Sequence, residues 1–471
     1  MSPALLSLPQ VLVVLPLLLL VPCFTVSTHP MGTNNHSQAQ MLQSMSMAPA
    51  ERETLFHVME TMSSDRDWRF SNPDPCMPGS LWPGIECKPG SDNHLHVTRL
   101  DFGATPNPTC KNTATFPSEV FDLPYLQSLF FFNCFKTTKT SLSMPPPGYK
   151  PAAYASLQQL SLKSNPSLIG PIPPHISSLS SLQVLTLSQN HIHGKIPEGM
   201  SGLTSLVHLD LSYNSLTGSI PAQLGSLSSL TGLDLSYNSL TGSIPPSIGQ
   251  LSLLQKLDLS SNSLSGSVPE SLENLGFLAF LALSNNKLSG QLPNGLPKLQ
   301  NVQYFIMDGN PMFVPLPYQL GRLSKLQELR LANSGYSGSI PRSFALLANL
   351  TTLSLENNRL TGEIPAGLSG LSRMYHLNLS RNMLAGVVPF NAGFIKRLGR
   401  NLDLSGNPGL CLNGSESSDS ISVGVEVCRG NRSASSRQQQ PLRSPARAPS
   451  SLFSNFPLLL GCLALWAVTG F

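Results

Sequence analysis

Residues 206–221 read LVHLDLSYNSLTGSIP, residues 230–245 read LTGLDLSYNSLTGSIP, and residues 254–269 read LQKLDLSSNSLSGSVP. The same asparagine recurs every 24 residues at Asn190, Asn214, Asn238, Asn262, Asn286 and Asn310, then, after Ser334, at Asn358 and Asn382. Asn165 and Asn407 extend the series by a step of 25 at each end. Self-similarity at a fixed period means stacked copies of one short unit, none of which can bury its apolar face alone. In LxxLxL the leucines alternate as a strand requires, so Leu230, Leu233 and Leu235 are expected to point inward. Leu240, Ile244, Ile248 and Leu251 fill the rest of that turn, each burial stabilising by roughly 1.5–3 kcal/mol. The asparagine should turn inward where the strand ends and bond backbone groups otherwise buried unpaired. Gly218, Gly242 and Gly266 fall where the chain must turn tightly. The Ile/Val-Pro that follows favours extended backbone and lacks one donor.

The LxxLxLxxN period marks an α/β repeat fold, a right-handed leucine-rich-repeat solenoid, over residues 91–410. Such a solenoid offers a long concave surface and no closed pocket, which favours binding over catalysis.

Residues 4–26 are almost wholly apolar, so residues 1–27 read as a secretory signal peptide, although a basic leading region is missing. Residues 28–90 form an N-terminal cap and residues 411–430 a C-terminal one. Residues 431–451 are a Ser/Pro/Arg linker, and residues 452–471 a hydrophobic tail. That tail contains Asn455 and Pro457, and Arg437, Arg443 and Arg447 precede it, which reads as a glycolipid-anchor signal in preference to a single-pass helix. Ser433 or Ser444 is the candidate attachment residue. Net charge is only +4 with 11% charged residues, which gives no basic block for nucleic acid. Six of the eight cysteines pair by neighbourhood as Cys76–Cys87, Cys110–Cys134 and Cys411–Cys428, and the first and last pairs flank the array where its ends need sealing. Sequons at Asn35, Asn349, Asn378, Asn413 and Asn431 fit passage through the secretory pathway.

The full consensus LxxLxLxxNxLxGxIPxxLgxL resembles the plant extracellular type of leucine-rich repeat. The helical segment Glu51–Met62, Trp68 and DPCMPGSLWPGIEC (Asp74–Cys87) resemble the N-terminal cap of plant receptor kinases and receptor-like proteins. With the FFFNCF segment (Phe130–Phe135), the chain is similar to plant leucine-rich-repeat receptor-like proteins. The resemblance implies a cell-surface role, on the extracellular side of the membrane, in development or in the response to microbes. The sequence has no glycine-rich phosphate loop, HRD or DFG. Signalling is therefore expected to pass through a membrane-spanning receptor kinase.

Counting back from each asparagine, offsets −6, −4 and −2 are expected to be exposed on the concave face, with −1 at the strand's end. The −4 ladder runs Asp210, Asp234, Asp258, Ala282, Ile306, Arg330, and the −6 ladder runs His208, Gly232, Lys256, Phe280, Tyr304, Glu328. Phe280, Ala282, Tyr304 and Ile306, followed by Glu328 and Arg330, form a candidate surface for a peptide or protein ligand. Tyr213 and Tyr237 at −1 are a second candidate. Asn378 lies at −4 of a later strand, where a glycan would obstruct that end. The Pro-rich insertion Lys136–Ala153 breaks the period and is either functional or disordered. The pairs His94/His96 and His191/His193 lack a third metal ligand and read as solvated. No nucleophile motif, metal site or cofactor site stands out, so no enzyme activity is expected. The competing reading is an apoplastic inhibitor of cell-wall-degrading enzymes, similar to polygalacturonase-inhibiting proteins.

Overall fold

The computed structural model describes residues 45–63, 66–77, 83–145, 148, 153–413 and 423–428. The signal peptide, linker and tail, with Asn35, Asn431, Ser433 and Ser444, lie outside the described residues. A 14-stranded sheet runs from Ile85–Pro89 to Leu402–Asp403. Its first pair is antiparallel, and the pairs that follow are parallel. Strands such as His208–Asp210, Gly232–Asp234 and Lys256–Asp258 pair at the 24-residue offset, setting Leu209 beside Leu233 beside Leu257. Equal offsets in the sequence thus become side-by-side rows in space, about 4.8 Å apart.

The corner after each strand is made by the residue before the asparagine. Tyr213 and Tyr237 (φ 53°), Ser261 (φ 55°), Asn285, Asn333 and Asn357 (φ 54°) and Arg381 (φ 55°) all adopt the left-handed conformation. A residue with a Cβ is disfavoured there by roughly 1–2 kcal/mol, so the surrounding bonds must hold it. Those bonds come from the asparagine. Asn262 Nδ2 donates to Leu259 O (3.2 Å) in its own turn and to Leu235 O (3.0 Å) in the preceding one. Its Oδ1 accepts from Leu240 N at 3.0 Å, also in the preceding turn. The same three-way bond recurs at Asn214, Asn238, Asn286 and Asn382.

Beyond the corner a short strand, Ser239–Gly242 in one repeat, joins a second, six-stranded sheet. The chain returns through a 3₁₀ turn such as Pro246–Gln250, too short and too proline-rich for an α-helix. Leu230, Leu233, Leu235, Leu240, Ile244, Ile248 and Leu251 are all buried, part of one apolar column that continues from repeat to repeat.

The cap begins with a helix, α1 (Pro49–Met62), that buries Leu55, Val58, Met59 and Met62. His96 corrects the sequence reading: it is 3% exposed, not solvated. Its Nδ1 lies 2.6 Å from Glu51 Oε2, its Nε2 2.9 Å from Asp92 Oδ1, and its ring stacks 3.8 Å from Tyr125. Glu51, itself buried, also accepts from Val97 N at 2.9 Å, so one carboxylate pins α1 to the first parallel strand. His94 is half-buried, with Nδ1 3.1 Å from Ser46 O, whereas His191 and His193 are exposed. Cys76 is bonded to Cys87 (Cα–Cα 5.6 Å) and Cys110 to Cys134 (Cα–Cα 5.0 Å). Cys411 and Cys428 are both in disulfides.

The described part of the insertion Lys136–Ala153 packs against the solenoid. Thr140 pairs with Leu168 in a parallel bridge, its hydroxyl accepts from Phe116 N at 2.9 Å, and Leu142 and Met144 are buried.

Two predictions test these supports. Asn262→Ala leaves Leu235 O, Leu259 O and Leu240 N without their side-chain partner. At about 1–3 kcal/mol for each buried group left unpaired, it should lower the urea-unfolding free energy by more than about 2 kcal/mol. Equal midpoints for Asn262→Ala and the neighbouring Ser263→Ala would sink the idea.

His96 carries a pH dependence. Burial works against its charged form, but Asp92 and Glu51 outweigh burial and hold its pKa above the ordinary 6.5. The contribution to stability is full below pH 6.5 and is lost as pH rises through the raised folded value. Asp92, lowered by its bond to His96, contributes above about pH 3.9 and loses that contribution in stronger acid. The thermal midpoint should fall between pH 6 and 8, and the fall should flatten in His96→Gln. An unchanged slope in that variant would exclude the link.

Candidate functional site

The concave face is built from the short strands, and each row along it is one offset from the asparagine. Asp210 and Asp234 each accept from the serine two residues on: Ser212 (N 3.0 Å, Oγ 2.6 Å) and Ser236 (N 3.1 Å, Oγ 2.6 Å). Ser188, Ser212, Ser236, Ser284 and Ser380 at −2 are buried, not exposed as alternation alone suggests, and the aspartate bond accounts for Ser212 and Ser236. Asp258 accepts from Ser260 N at 3.0 Å, and burial, reinforced by the neighbouring charge of Asp234, pushes its pKa up to about 6.

Lys256 joins this acidic row to the aromatic one. Its Nζ lies 2.8 Å from Asp234 Oδ2 and 5.7 Å from the centroid of the Phe280 ring. Burial opposes its charge, but Asp234 more than compensates and its pKa stays raised. His208 is held below its ordinary value by burial and by Lys256. Phe280 and Tyr304 face each other across adjacent strands, centroids 5.9 Å apart, with Ile306 half-exposed beside them.

Ala282 departs from expectation. It is 3% exposed, because its Cβ sits between the longer Asp258 and Ile306 and does not reach past them. The patch therefore consists of Phe280, Tyr304 and Ile306. Arg330 closes its far side, with Nε 2.9 Å from Asp308 Oδ2 and Nη1 3.8 Å from Glu328 Oε1. Asp308, whose Oδ1 also accepts from Ala332 N at 2.7 Å, is raised by burial despite Arg330, and Glu328 is raised likewise. The apolar patch is thus bracketed by two cations, Lys256 and Arg330, each held by an aspartate of the preceding repeat. The sequence ladders contain Lys256, but they do not show that it leans over Phe280, and Asp308 at −2 has no sequence signal.

Tyr213 and Tyr237 stack with centroids 4.1 Å apart and planes within 9°, both about half exposed. Burial, then a hydrogen bond with Tyr237, pushes the Tyr213 phenol up to about 12. Asn378 accepts from Ser380 N (3.0 Å) and Oγ (2.7 Å), taking the place of the aspartates in the −4 row. Asn349 donates to Ser324 O and accepts from Arg373, while Asn413 is exposed. Among the described residues no group of three or more His, Cys, Asp or Glu could hold a metal, and no helix is long and apolar enough to cross a membrane.

Leucine-rich-repeat family models match residues 155–216, 229–251, 253–275, 277–299 and 321–389. The chain is a leucine-rich-repeat solenoid. It resembles plant leucine-rich-repeat receptor-like proteins: Receptor like protein 29 of Arabidopsis thaliana is 63% identical over 147 residues, covering 31% of each chain. The aligned stretch spans about a third of the length of the curated relatives it matches. Among solved structures, PEPR1–AtPEP1 superposes with a TM-score of 0.64 at 30% identity, covering 78% of this chain and 51% of that one. The plant peptide hormone receptor RGFR1 in complex with RGF2 gives a TM-score of 0.54 at 29% identity, covering 67% and 53%. The solenoid therefore shares its repeat geometry with plant receptor ectodomains.

Proposed function

We propose that the protein is a cell-surface receptor-like protein that binds an extracellular peptide or protein through its concave face. In this reading it modulates a membrane-spanning receptor kinase in development or in the response to microbes. The observation that carries it is the patch of Phe280, Tyr304 and Ile306 on a face whose other side chains are mostly polar or charged. Aromatic residues surrounded by a polar, charged rim are the usual anchors of protein interfaces. The likeness to a peptide hormone receptor and to a receptor-like protein supports the same reading. The reading includes no enzyme activity.

Tyr304→Ala should weaken partner binding by about 1 kcal/mol or more, with little loss of fold because the side chain points outward. Leu283→Ala, which is inward and buried, should instead destabilise by about 2–5 kcal/mol. Partners captured from plant membranes by the full chain would be compared with those of the Phe280→Ala/Tyr304→Ala variant. An unchanged set on a folded, secreted variant removes the patch from consideration.

Attachment through a glycolipid is part of the proposal, resting on the composition of residues 431–471. A phosphatidylinositol-specific phospholipase should release the protein from intact membranes. Retention alongside full release of a control anchored protein argues for a spanning helix, and recovery in the wall fluid without treatment favours the inhibitor reading.

A further inference from the structure

One repeat departs from the consensus. Residues 310–317 read NPMFVPLP where the flanking repeats read NKLSGQLP (286–293) and SGYSGSIP (334–341), and the ladder asparagine of the next repeat is Ser334. An open cleft of about 420 Å³ lies at these strand ends, lined by Gly309, Phe313, Asn333, Gly335, Asn357 and Arg359 among others. Phe313 has φ 50° and is 60% exposed, and its ring lies so close to Gly335 that a Cβ there would meet it at 2.5 Å. The Arg359 guanidinium sits over this ring, 5.2 Å from its centroid. Two residues back along the register that pairs Thr361 with Met383 stand Arg359 and Arg381.

Neither Arg359 nor Arg381 forms an ion pair among the described residues, unlike Arg99, Lys256 and Arg330 on the main sheet. Asn357 Nδ2 donates to Asn333 Oδ1 at 2.7 Å, and Asn333 Nδ2 has no partner among the described residues. The cleft therefore presents a guanidinium braced on an aromatic ring and a free amide donor, with Arg381 one repeat beyond its lining. Planar forks of this kind match a carboxylate, and bonds to a charged acceptor are about twice as strong as neutral ones.

We propose that this cleft binds a carboxylate carried on an acidic side chain of an extended polypeptide. A polypeptide fits better than an acidic sugar because Arg359 already occupies the ring face on which a sugar would stack. Geometry supports the same source. From Ile306 and Arg330 at −4 to the −1 corner is three residues, about 10 Å of strand, so a chain lying across the aromatic patch extends into the cleft. The proposal deepens the ligand-binding reading above and rests on it for the class of partner.

The probe is acetyl-Ala-Ala-Asp-Ala-Ala-amide, with its Asn counterpart and trigalacturonic acid as comparisons. Each would be titrated into the full purified chain and followed by saturation-transfer NMR. The Asp peptide should bind at least about fivefold more tightly than the Asn peptide. Arg359→Gln should abolish that difference, and Phe313→Leu, which keeps the charge and removes the ring, should reduce it. Both residues are exposed, so thermal midpoints should match the wild type and show the variants folded. Equal affinity for the two peptides, or an Asp preference that survives Arg359→Gln, overturns the proposal. Arg359-dependent binding of trigalacturonate without binding of the Asp peptide overturns the polypeptide source. The Asp preference should persist in Phe280→Ala/Tyr304→Ala, which separates failure of the concave patch from failure of the cleft.

Discussion

The turns of this solenoid bury the backbone at one corner, and in all the regular repeats but the one at Ser334 an asparagine amide makes that corner tolerable. At Asn238 the amide donates to Leu235 O and Leu211 O and accepts from Leu216 N, spanning two turns with one side chain. Buried carbonyls and N–H groups without partners are costly, so the corner cannot form one turn at a time. The bond across the seam also sets the 24-residue register, since the acceptor in one turn is matched to the donor in the next. The left-handed residue before it is held in place by the same arrangement, which is how tyrosines come to occupy that conformation at positions 213 and 237.

From this fixed register follows the chemistry of the concave face. Side chains at equal offsets are brought edge to edge whatever they are, so charge and aromaticity run in rows. Aspartates at 210, 234 and 258 crowd one another, and Lys256 relieves the crowding by bridging to Asp234 while covering Phe280. Three strands further on, Arg330 performs the same office with Asp308. The half-exposed aromatic patch lies between these two paired cations.

Much of this was legible in the sequence, because periodicity and alternation are local properties. The inward leucines, the asparagine ladder and the offsets of Phe280, Tyr304 and Ile306 all follow from counting. What escaped depends on contacts between distant residues or on side-chain size. His96 looks like half of an exposed HxH pair until Glu51, 45 residues earlier, is folded over it. Ala282 obeys the exposed offset yet disappears between longer neighbours, and Ser212 and Ser236 are drawn inward by aspartates whose reach no periodicity encodes. The cleft beside Phe313 arises where the pattern fails, and a consensus is silent about what a departure builds.

The Ser334 substitution gives the array a mechanical anatomy. Where the asparagines clamp two neighbouring turns through several short bonds, Ser334 Oγ reaches Ala332 O at 2.8 Å but the previous turn's Met307 O only at 3.4 Å. Asn310 N approaches the same hydroxyl at 3.3 Å. Under tension between the chain's two ends, the coil has a seam at this turn, and a force that opens it would part the repeats before it from those after it. Because stacked repeats contact only their neighbours, each half would hold its own shape while the joint gave way.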